Sequence, residues 1–199
     1  MTDARLLTVC TGNICRSPLA AQVLRARLDG LAVTVASAGT HALADAPMTP
    51  EAQRLAVEAD ALAGDPEAHR ARLLAPVLRE DHDLVLALAR EHRRYTVEER
   101  PALVRRTFTV REFARLAASV DDDEIRAAVS GETDASARVR SAAARVASRR
   151  GQVEPPADPA DDDVIDPYRR SWETYELSAS QLLPAIDEVA RVVRVALSA

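Results

Sequence analysis

The sequence predicts an α/β protein with a mainly parallel sheet. Short apolar runs rich in β-branched residues alternate along the chain with longer segments whose apolar residues recur at helical spacing. Ser17-Pro18 and Thr49-Pro50 each place a capping residue and a proline before a helical segment. A length of 199 residues suits one domain, so we expect a single domain over residues 1–199.

The first part of the chain predicts two strands, each followed by a helix. Residues 6–9 form the first strand, and the helix that starts at Ser17-Pro18 ends near Gly30. Residues 32–36 form the second strand. Thr49 is predicted to cap a helix that ends near Ala59.

The rest of the chain continues the alternation. Residues 83–88 are an apolar run typical of a buried strand, and a charged helix follows them. Residues 106–110 predict a fourth, short strand with a helix after it through Phe113 and Leu116. A last helix carries apolar residues at helical spacing, which are Leu182, Leu183, Ile186, Val189, Val192 and Val193.

Residues 119–163 differ in composition and predict an insertion of helix and loop before the last helix. The segment is rich in Ala, Asp, Ser and Arg and poor in large apolar side chains. Residues 135–150 can form a helix, but its apolar face is thin, with Val139 and Val146 as its larger members. Proline and aspartate in residues 154–163 indicate a loop. We expect a solvated segment, with a docking surface for a partner or substrate as the alternative.

Composition excludes several classes of function. A net charge of −5 argues against general binding to nucleic acid or anionic membranes. No stretch approaches the roughly eighteen uncharged apolar residues of a membrane-spanning helix. All 26 basic residues are arginine, which excludes a Schiff-base lysine and a P-loop nucleotide site. The N-terminal apolar run is too short for a signal peptide, so we expect a cytoplasmic protein.

Cysteine and histidine usage predicts neither a metal site nor a disulfide framework. The chain has 2 cysteines, Cys10 and Cys15, and 4 scattered histidines without ligand-like spacing. We therefore expect no metal and no other cofactor.

The segment after the first strand carries the chemistry. Cys10 ends the strand, and Arg16 stands six positions later, where a helix begins. Backbone N–H groups at a helix N-terminus have no helical partners, so such a loop can bind an anion. Gly12 and Asn13 tolerate backbone conformations closed to most residues, and the planar fork of Arg16 suits two phosphate oxygens.

A cysteine in this positive field is favoured as the thiolate, its nucleophilic form. A thiolate inside a phosphate-binding loop indicates phosphoryl transfer through a phosphocysteine. The leaving group then needs a proton, and Asp166, in Asp166-Pro167-Tyr168, is the candidate donor. The residues alone also allow Asp166 to be an ordinary member of an acidic turn, because Asp-Pro is a common turn pair.

In these features the sequence resembles the low-molecular-weight protein tyrosine phosphatases. The matching segments occur in the family's order and leave out mainly the 119–163 insertion. They are residues 9–18 (VCTGNICRSP), 37–40 (SAGT), 69–72 (HRAR), 83–86 (DLVL) and 166–168 (DPY). The resemblance implies a flavodoxin-like, three-layer fold with a four-stranded parallel sheet and a site where the first strand ends.

The resemblance also implies roles for individual residues. Cys10 would be the nucleophile, Arg16 would bind the phosphate, and Asp166 would protonate the tyrosine oxygen and later activate water. The implied phosphate-binding loop consists of Thr11, Gly12, Asn13, Ile14, Cys15, Arg16 and Ser17. The implied supporting residues are Ser17, which would hydrogen-bond the thiolate, with Asn13, Ser37 and His69. Cys15 would trap an oxidised Cys10 as a disulfide, or serve as a small buried apolar residue.

The cleft for the substrate ring is implied less directly. Ile14 lies beside the cradle and Tyr168 matches one wall, while His41 or Leu43 would supply the opposite wall. Many relatives carry an aromatic residue or glycine where this chain has Arg169. Many also carry Met-Asp or Met-Glu at the position of Leu88-Ala89. Both departures bear on substrate preference.

Three other functions stay open at this point. Protein arginine phosphatases of the same fold typically carry threonine at the position of Ile14. An arsenate reductase coupled to a small thiol needs one cysteine only, whereas the thioredoxin-coupled kind needs further cysteines that the chain lacks. A non-catalytic phosphate-binding module is the third. The expected partners are phosphotyrosine-containing proteins, among them a bacterial tyrosine kinase, with the chain a monomer or weak dimer.

Overall fold

The computed structural model describes residues 3–61 and 68–198 of the chain. Four parallel strands form one sheet: β1 (Ala4–Cys10), β2 (Val33–Gly39), β3 (Leu84–Ala87) and β4 (Thr107–Thr109). Their order, β2-β1-β3-β4, is that of a flavodoxin-like sheet. The predicted α/β class and four-stranded parallel sheet are confirmed.

Helices cover both faces of the sheet. Their bounds are α1 (Arg16–Arg27), α2 (Pro50–Glu58), α3 (Leu74–Val77), α4 (Arg90–Glu99), α5 (Val110–Ala117), α6 (Asp122–Val129), α7 (Ala135–Ala147) and α8 (Trp172–Ser198). Two 3₁₀ segments, Pro101–Arg106 and Pro159–Asp162, lie before β4 and before α8. Along β1, Leu6 belongs to the core shared with α1 and α8, whereas Leu7 faces the second core with Leu74 and Leu103. This alternation makes the three layers.

Register places the end of β1 at the centre of the carboxyl edge of the sheet. Cys10 pairs with Gly39 of β2, and Val9 pairs with both Ala38 of β2 and Ala87 of β3. The loops after β1, β2 and β3 therefore emerge side by side. In open parallel sheets this is where ligands bind.

The expectation of a solvated insertion is wrong for its helical part. Ile125 and Val129 of α6 and Val139 and Val146 of α7 are buried in the same core as α8. Small side chains add to this contact, since Ala142 and Ala143 of α7 are buried too. Alanine lets helices approach closely, so a segment poor in large apolar residues still packs.

The buried carboxylate of Asp83, just before β3, anchors α7 to the amino edge of the sheet. Its Oδ1 accepts hydrogen bonds from Ser136 Oγ at 2.6 Å and from Arg140 Nη1 at 2.7 Å. Its Oδ2 accepts a third from the backbone N–H of Arg5 at 2.8 Å. A buried charge needs such partners, so these contacts fix α7 at the edge opposite the loop after β1.

Sequence analysis missed the helices α3 and α6. The signal for α6 is present, because Asp121 and Glu124 form a capping box at its start. Thr49 caps α2 as predicted, through a hydrogen bond from the Ala52 N–H. No helix in the described part of the chain is both long enough and apolar enough to cross a membrane.

Candidate active site

The loop between β1 and α1 wraps around the sulfur of Cys10. Cys10 Sγ accepts the backbone N–H of Asn13 at 3.3 Å and lies 3.0 Å from Ser17 Oγ. Its side chain is almost fully buried yet lines a cavity of about 150 Å³. The sulfur therefore sits at the base of a pocket formed by the loop and the start of α1.

Ser17 does not have the capping role predicted for it. Helix α1 starts one residue earlier, at Arg16, and its N-cap position, Cys15, makes no side-chain capping hydrogen bond. The hydroxyl of Ser17 faces Cys10 instead and accepts a hydrogen bond from Asn13 Nδ2 at 2.9 Å. The N–H groups at this helix end are left for a ligand rather than for a side chain.

Asn13 holds the loop in a conformation that few residues adopt. Its φ is +56°, in the left-handed region, as its residue type predicts. Its buried amide group donates to Ser17 Oγ and to Ser37 Oγ, each at 2.9 Å, and its Oδ1 accepts the backbone N–H of Arg72 at 3.0 Å. With all of these polar groups paired, the side chain binds the loop to β2 and to the segment just before α3.

His69 fixes the same loop through its backbone. Nε2 of His69 donates to the carbonyl oxygen of Asn13 at 2.7 Å. Burial lowers the pKa of His69 below its usual value, with the arginines nearby adding to the effect, so the ring is neutral at pH 7. Arg72, to which sequence analysis gave no role, also supports the site: its Nε donates to the carbonyl of Ser37 at 2.9 Å.

The glycine with the critical close approach is Gly39, not Gly12. Gly12 does not have a positive φ, and a Cβ there would meet only the Ile14 side chain at an ordinary 3.4 Å. At Gly39 a Cβ would lie 2.4 Å from the carbonyl oxygen of Thr11. The backbone after β2 runs against the loop here, with Thr40 N–H donating to the Cys10 carbonyl at 2.9 Å. The expectation of special backbone freedom at Gly12 is therefore wrong.

We expect Gly39→Ala to lower the free energy of unfolding by about 2 kcal/mol or more, because the new methyl overlaps backbone that cannot move aside. Gly12→Ala is the matched control and should stay within about 0.5 kcal/mol of wild type. Urea unfolding of the three proteins measures the difference. Equal stability of the two variants would contradict this prediction, because it would show that the backbone at Thr11 moves to accommodate the methyl group.

His92 is a buried contact of the loop that sequence analysis missed. Its Nε2 lies 2.9 Å from Thr11 Oγ1, and its side chain is 1% exposed. Burial, with the charge of Arg16 as the second cause, lowers the pKa of His92 to about 3. The ring is thus neutral throughout the physiological pH range. A lone histidine outside any motif gives no sequence signal for such a contact.

Arg16 joins the loop to the segment before α8. The nearly buried guanidinium donates from Nη1 to the carbonyl of Val164 at 2.9 Å, and its Nη2 lies 3.1 Å from Asp166 Oδ2. The Asp166 side chain is 53% exposed, and its Oδ1 accepts the backbone N–H of Tyr168 at 3.2 Å. Buried Pro167 lies inside this turn. The predicted nucleophile, arginine and acid therefore meet in one pocket.

The pocket brings together all four residues predicted for the substrate cleft. Its lining consists of Cys10, Thr11, Gly12, Ile14, Cys15, Arg16, His41, Leu43, Asp166 and Tyr168. His41 and Leu43 are both held there, since their backbone N–H groups donate to the carbonyls of Thr11 and Gly12. His41 also packs edge-to-face on Tyr95 at 5.9 Å between ring centroids.

Cys15 occupies a different environment from Cys10. Its Sγ lies 3.5 Å from Tyr175 Oη and 3.6 Å from Thr49 Oγ1. Burial raises the pKa of the Cys15 thiol, although the hydrogen bonds from both hydroxyls act in the opposite direction. Cys15 therefore rests as a neutral thiol between α1, α2 and α8.

This arrangement can hold a tetrahedral oxyanion over a sulfur. The N–H groups in the first turn of α1 have no partner within the helix, and the Arg16 guanidinium adds further donors beside them. Asp166, whose side chain is half exposed, lines the same pocket as the buried sulfur. The apolar side chains of Ile14, Leu43 and Tyr168 leave room for a flat group above the donors.

Comparison with known proteins connects this site to a family. The sequence model of the low molecular weight phosphotyrosine protein phosphatases matches residues 5–126. The low molecular weight protein-tyrosine-phosphatase Etp of Escherichia coli K12 is 41% identical over 87 residues, 44% of this chain and 55% of Etp. The protein-arginine-phosphatase of Bacillus subtilis is 33% identical over 110 residues, 54% of this chain and 71% of that protein.

Among solved structures, the low molecular weight protein tyrosine phosphatase from T. tengcongensis superposes with a TM-score of 0.65 at 27% identity. The superposition covers 95% of this chain and 99% of that chain. In sequence, by contrast, this chain spans about half the length of Etp. The family match ends at residue 126, so Asp166 lies beyond it.

Proposed function

Because the chain belongs to the low molecular weight phosphotyrosine protein phosphatase family, we propose that it hydrolyses phosphotyrosine in proteins. The observation that carries the proposal is the convergence of Cys10, Arg16 and Asp166 on one pocket. Each is a residue type that phosphoryl transfer to sulfur requires: a nucleophile, a cation for the phosphate and an acid for the leaving group.

In the first step, the loop N–H groups and Arg16 bind the phosphate of the substrate. The thiolate of Cys10 attacks phosphorus, and the bond from phosphorus to the tyrosine oxygen breaks. Asp166 gives its proton to that oxygen, so tyrosine leaves neutral and a phosphocysteine remains. In the second step Asp166 takes a proton from water, whose oxygen attacks phosphorus. Inorganic phosphate leaves and the thiolate returns.

The supporting residues stabilise the Cys10 thiolate and hold the loop around it. Asn13 Nδ2 already donates to Ser17 Oγ, so the hydroxyl proton of Ser17 is free for another acceptor. Cys10 Sγ at 3.0 Å is nearer than the Ala38 carbonyl at 3.4 Å. Ser17 therefore stabilises the sulfur anion by a direct hydrogen bond, while Ser37 and His69 hold Asn13 in place.

The walls of the pocket favour a phenyl ring over a guanidinium. Ile14, Leu43 and Tyr168 present apolar surface above the donors. A phosphoarginine would lose water from several N–H groups here, and among the described lining residues only Asp166 offers a carboxylate to replace it. The relationship to a protein-arginine-phosphatase keeps that activity as the second candidate.

Wild type should therefore have a higher kcat/KM for a phosphotyrosine peptide than for the matched phosphoarginine peptide. Ile14→Thr should narrow or invert the ratio, because threonine keeps the branched shape and adds a hydroxyl. A change of roughly tenfold corresponds to one hydrogen bond of about 1.4 kcal/mol. The measurement is kcat/KM for both peptides on both proteins. A preference of wild type for phosphoarginine would overturn the substrate assignment and leave the chemistry of Cys10, Arg16 and Asp166 standing.

Two other assays, with p-nitrophenyl phosphate and with arsenate, address the remaining candidates. A non-catalytic module would not turn over p-nitrophenyl phosphate, and an arsenate reductase would need a small thiol and arsenate. The proposed substrates are phosphotyrosine-containing proteins, including a bacterial tyrosine kinase. The cytoplasmic location and a monomeric or weakly dimeric state stay predictions from the sequence.

A further inference from the structure

Helix α4, which follows β3, starts without a cap of its own. Its N-cap residue is Ala89, whose methyl group cannot accept a hydrogen bond. The missing acceptor comes from far along the chain: Asp163 Oδ1 accepts the backbone N–H of Arg90 at 2.7 Å. Asp163 is thus the capping carboxylate of a helix to which it does not belong.

The side chain of Arg90 reinforces the same contact. Its Nε lies 3.1 Å and its Nη2 3.0 Å from Asp163 Oδ2, a two-point contact between guanidinium and carboxylate. The Asp163 side chain is 26% exposed and that of Arg90 is 49% exposed, so water reaches the pair and the backbone contact is its better shielded part. One carboxylate is therefore held by a backbone N–H and a guanidinium together.

The backbone beside this carboxylate is fixed at three further points. Arg111 of α5 donates to the Asp163 carbonyl at 2.9 Å. The N–H of Val164 donates to the carbonyl of Leu88, and the Val164 carbonyl accepts from Arg16, both at 2.9 Å. These contacts bind the chain immediately before Asp166 to α5, to the end of β3 and to the phosphate-binding loop.

We propose that Asp163 is a positioning residue for proton transfer by Asp166. The inference rests on the proposed function, in which Asp166 is the acid. Asp163 binds the N-terminus of α4 and thereby sets where the Asp166 carboxylate stands above Cys10. Arg90 is its partner in this role.

The position of Asp166 depends on the backbone because its side chain has few contacts of its own. The carboxylate is half exposed and contacts Arg16 and the N–H of Tyr168. A bound phosphate would compete with Asp166 for Arg16. The position of the Asp166 carboxylate would then depend on the backbone turn that carries it. Displacement of a reacting group by about 1 Å can cost roughly 100-fold in rate.

The test compares two leaving groups in Asp163→Ala. We expect kcat/KM for a phosphotyrosine peptide to fall roughly tenfold, and kcat/KM for p-nitrophenyl phosphate to fall less than about threefold. We compare kcat/KM because it covers the steps up to departure of the phenol, whereas hydrolysis of the phosphocysteine is the same for both substrates. The second substrate needs less help because its phenolate leaves readily. Competitive inhibition by inorganic phosphate should change little, since the cradle around Cys10 is intact. Equal losses on both substrates would overturn the proposal.

A second variant separates positioning from helix stability. Ala89→Ser in the Asp163→Ala background gives α4 a cap of its own, and thermal unfolding measures the stability it restores. The leaving-group effect should persist, because serine at 89 does not bind the segment before Asp166. Recovery of phosphotyrosine turnover in the double variant would show that Asp163 acts only through the stability of α4.

Arg90→Gln and Arg94→Gln form the matched pair on one helix. Arg94 is largely exposed and pairs only loosely with Glu98, at 3.7 Å, so its loss should leave kcat for both substrates unchanged. Arg90→Gln should reproduce the selective loss of Asp163→Ala in weaker form. Asp166→Asn, measured in parallel, distinguishes a failure of the proposed acid from a failure of the role proposed for Asp163. If it shows no dependence on the leaving group, the proposed role of the acid fails; if it alone shows the dependence, only the role of Asp163 fails.

Discussion

Cys10→Ser is expected to lower kcat by roughly 10⁴-fold or more, because a serine hydroxyl in this loop is a far weaker nucleophile than a thiolate. Binding of phosphate or vanadate should survive, since the N–H groups of the loop and Arg16 are unchanged. Turnover of p-nitrophenyl phosphate and a calorimetric titration with vanadate measure the two properties separately. Loss of both together would indicate a collapsed loop rather than a missing nucleophile.

Cys15→Ser is the matched control for this variant. Serine can keep the contacts with Tyr175 and Thr49, so most activity should remain under reducing conditions. We expect faster irreversible inactivation by hydrogen peroxide. Peroxide oxidises Cys10 to a sulfenic acid, and attack by Cys15 would form the disulfide and release water. If Cys15→Ser were as inactive as Cys10→Ser without peroxide, the assignment of the nucleophile would be wrong.

Asp166→Asn should lower kcat/KM for phosphotyrosine, which reports the step in which the phenol leaves, by about 10²- to 10⁴-fold. Asparagine keeps the shape of the side chain but supplies no acidic proton. The loss should be smaller for an aryl phosphate whose phenol has a low pKa, because that leaving group departs without protonation. The ratio of the two losses is the quantity to measure. Losses of equal size would assign Asp166 a structural role through its contact with Arg16.

The main features of the site could be predicted from the sequence because the strands run parallel. The carboxyl ends of parallel strands lie at one edge, so a loop after the first strand had to open there. Cys10 and Arg16 belong to that single loop. Asp166 could not be placed by periodicity or spacing, since it is 150 residues from Arg16 in sequence. The resemblance to a family motif supplied its assignment.

Contacts between distant elements were out of reach of the sequence. His92 meets Thr11 only because the loop after β3 lies beside the loop after β1. The roles of Gly12 and Gly39 were misjudged, because the need for glycine at 39 arises from another segment's carbonyl rather than from local turn geometry. The description of residues 119–163 as atypical of the family stays a prediction.

The fixed ends of the α6–α7 segment bear on how the protein can change over evolution. Val120, before α6, is buried in the core, and Asp163 is bound to α4 and α5. Between two fixed points, doubling the length of the connecting chain costs only about 0.6 kcal/mol in closure entropy. Because α6 and α7 pack in the core, this low cost applies to the mostly exposed connection at residues 151–158. The lineage can lengthen that connection and gain new surface while the spacing between the acid and the sulfur stays the same.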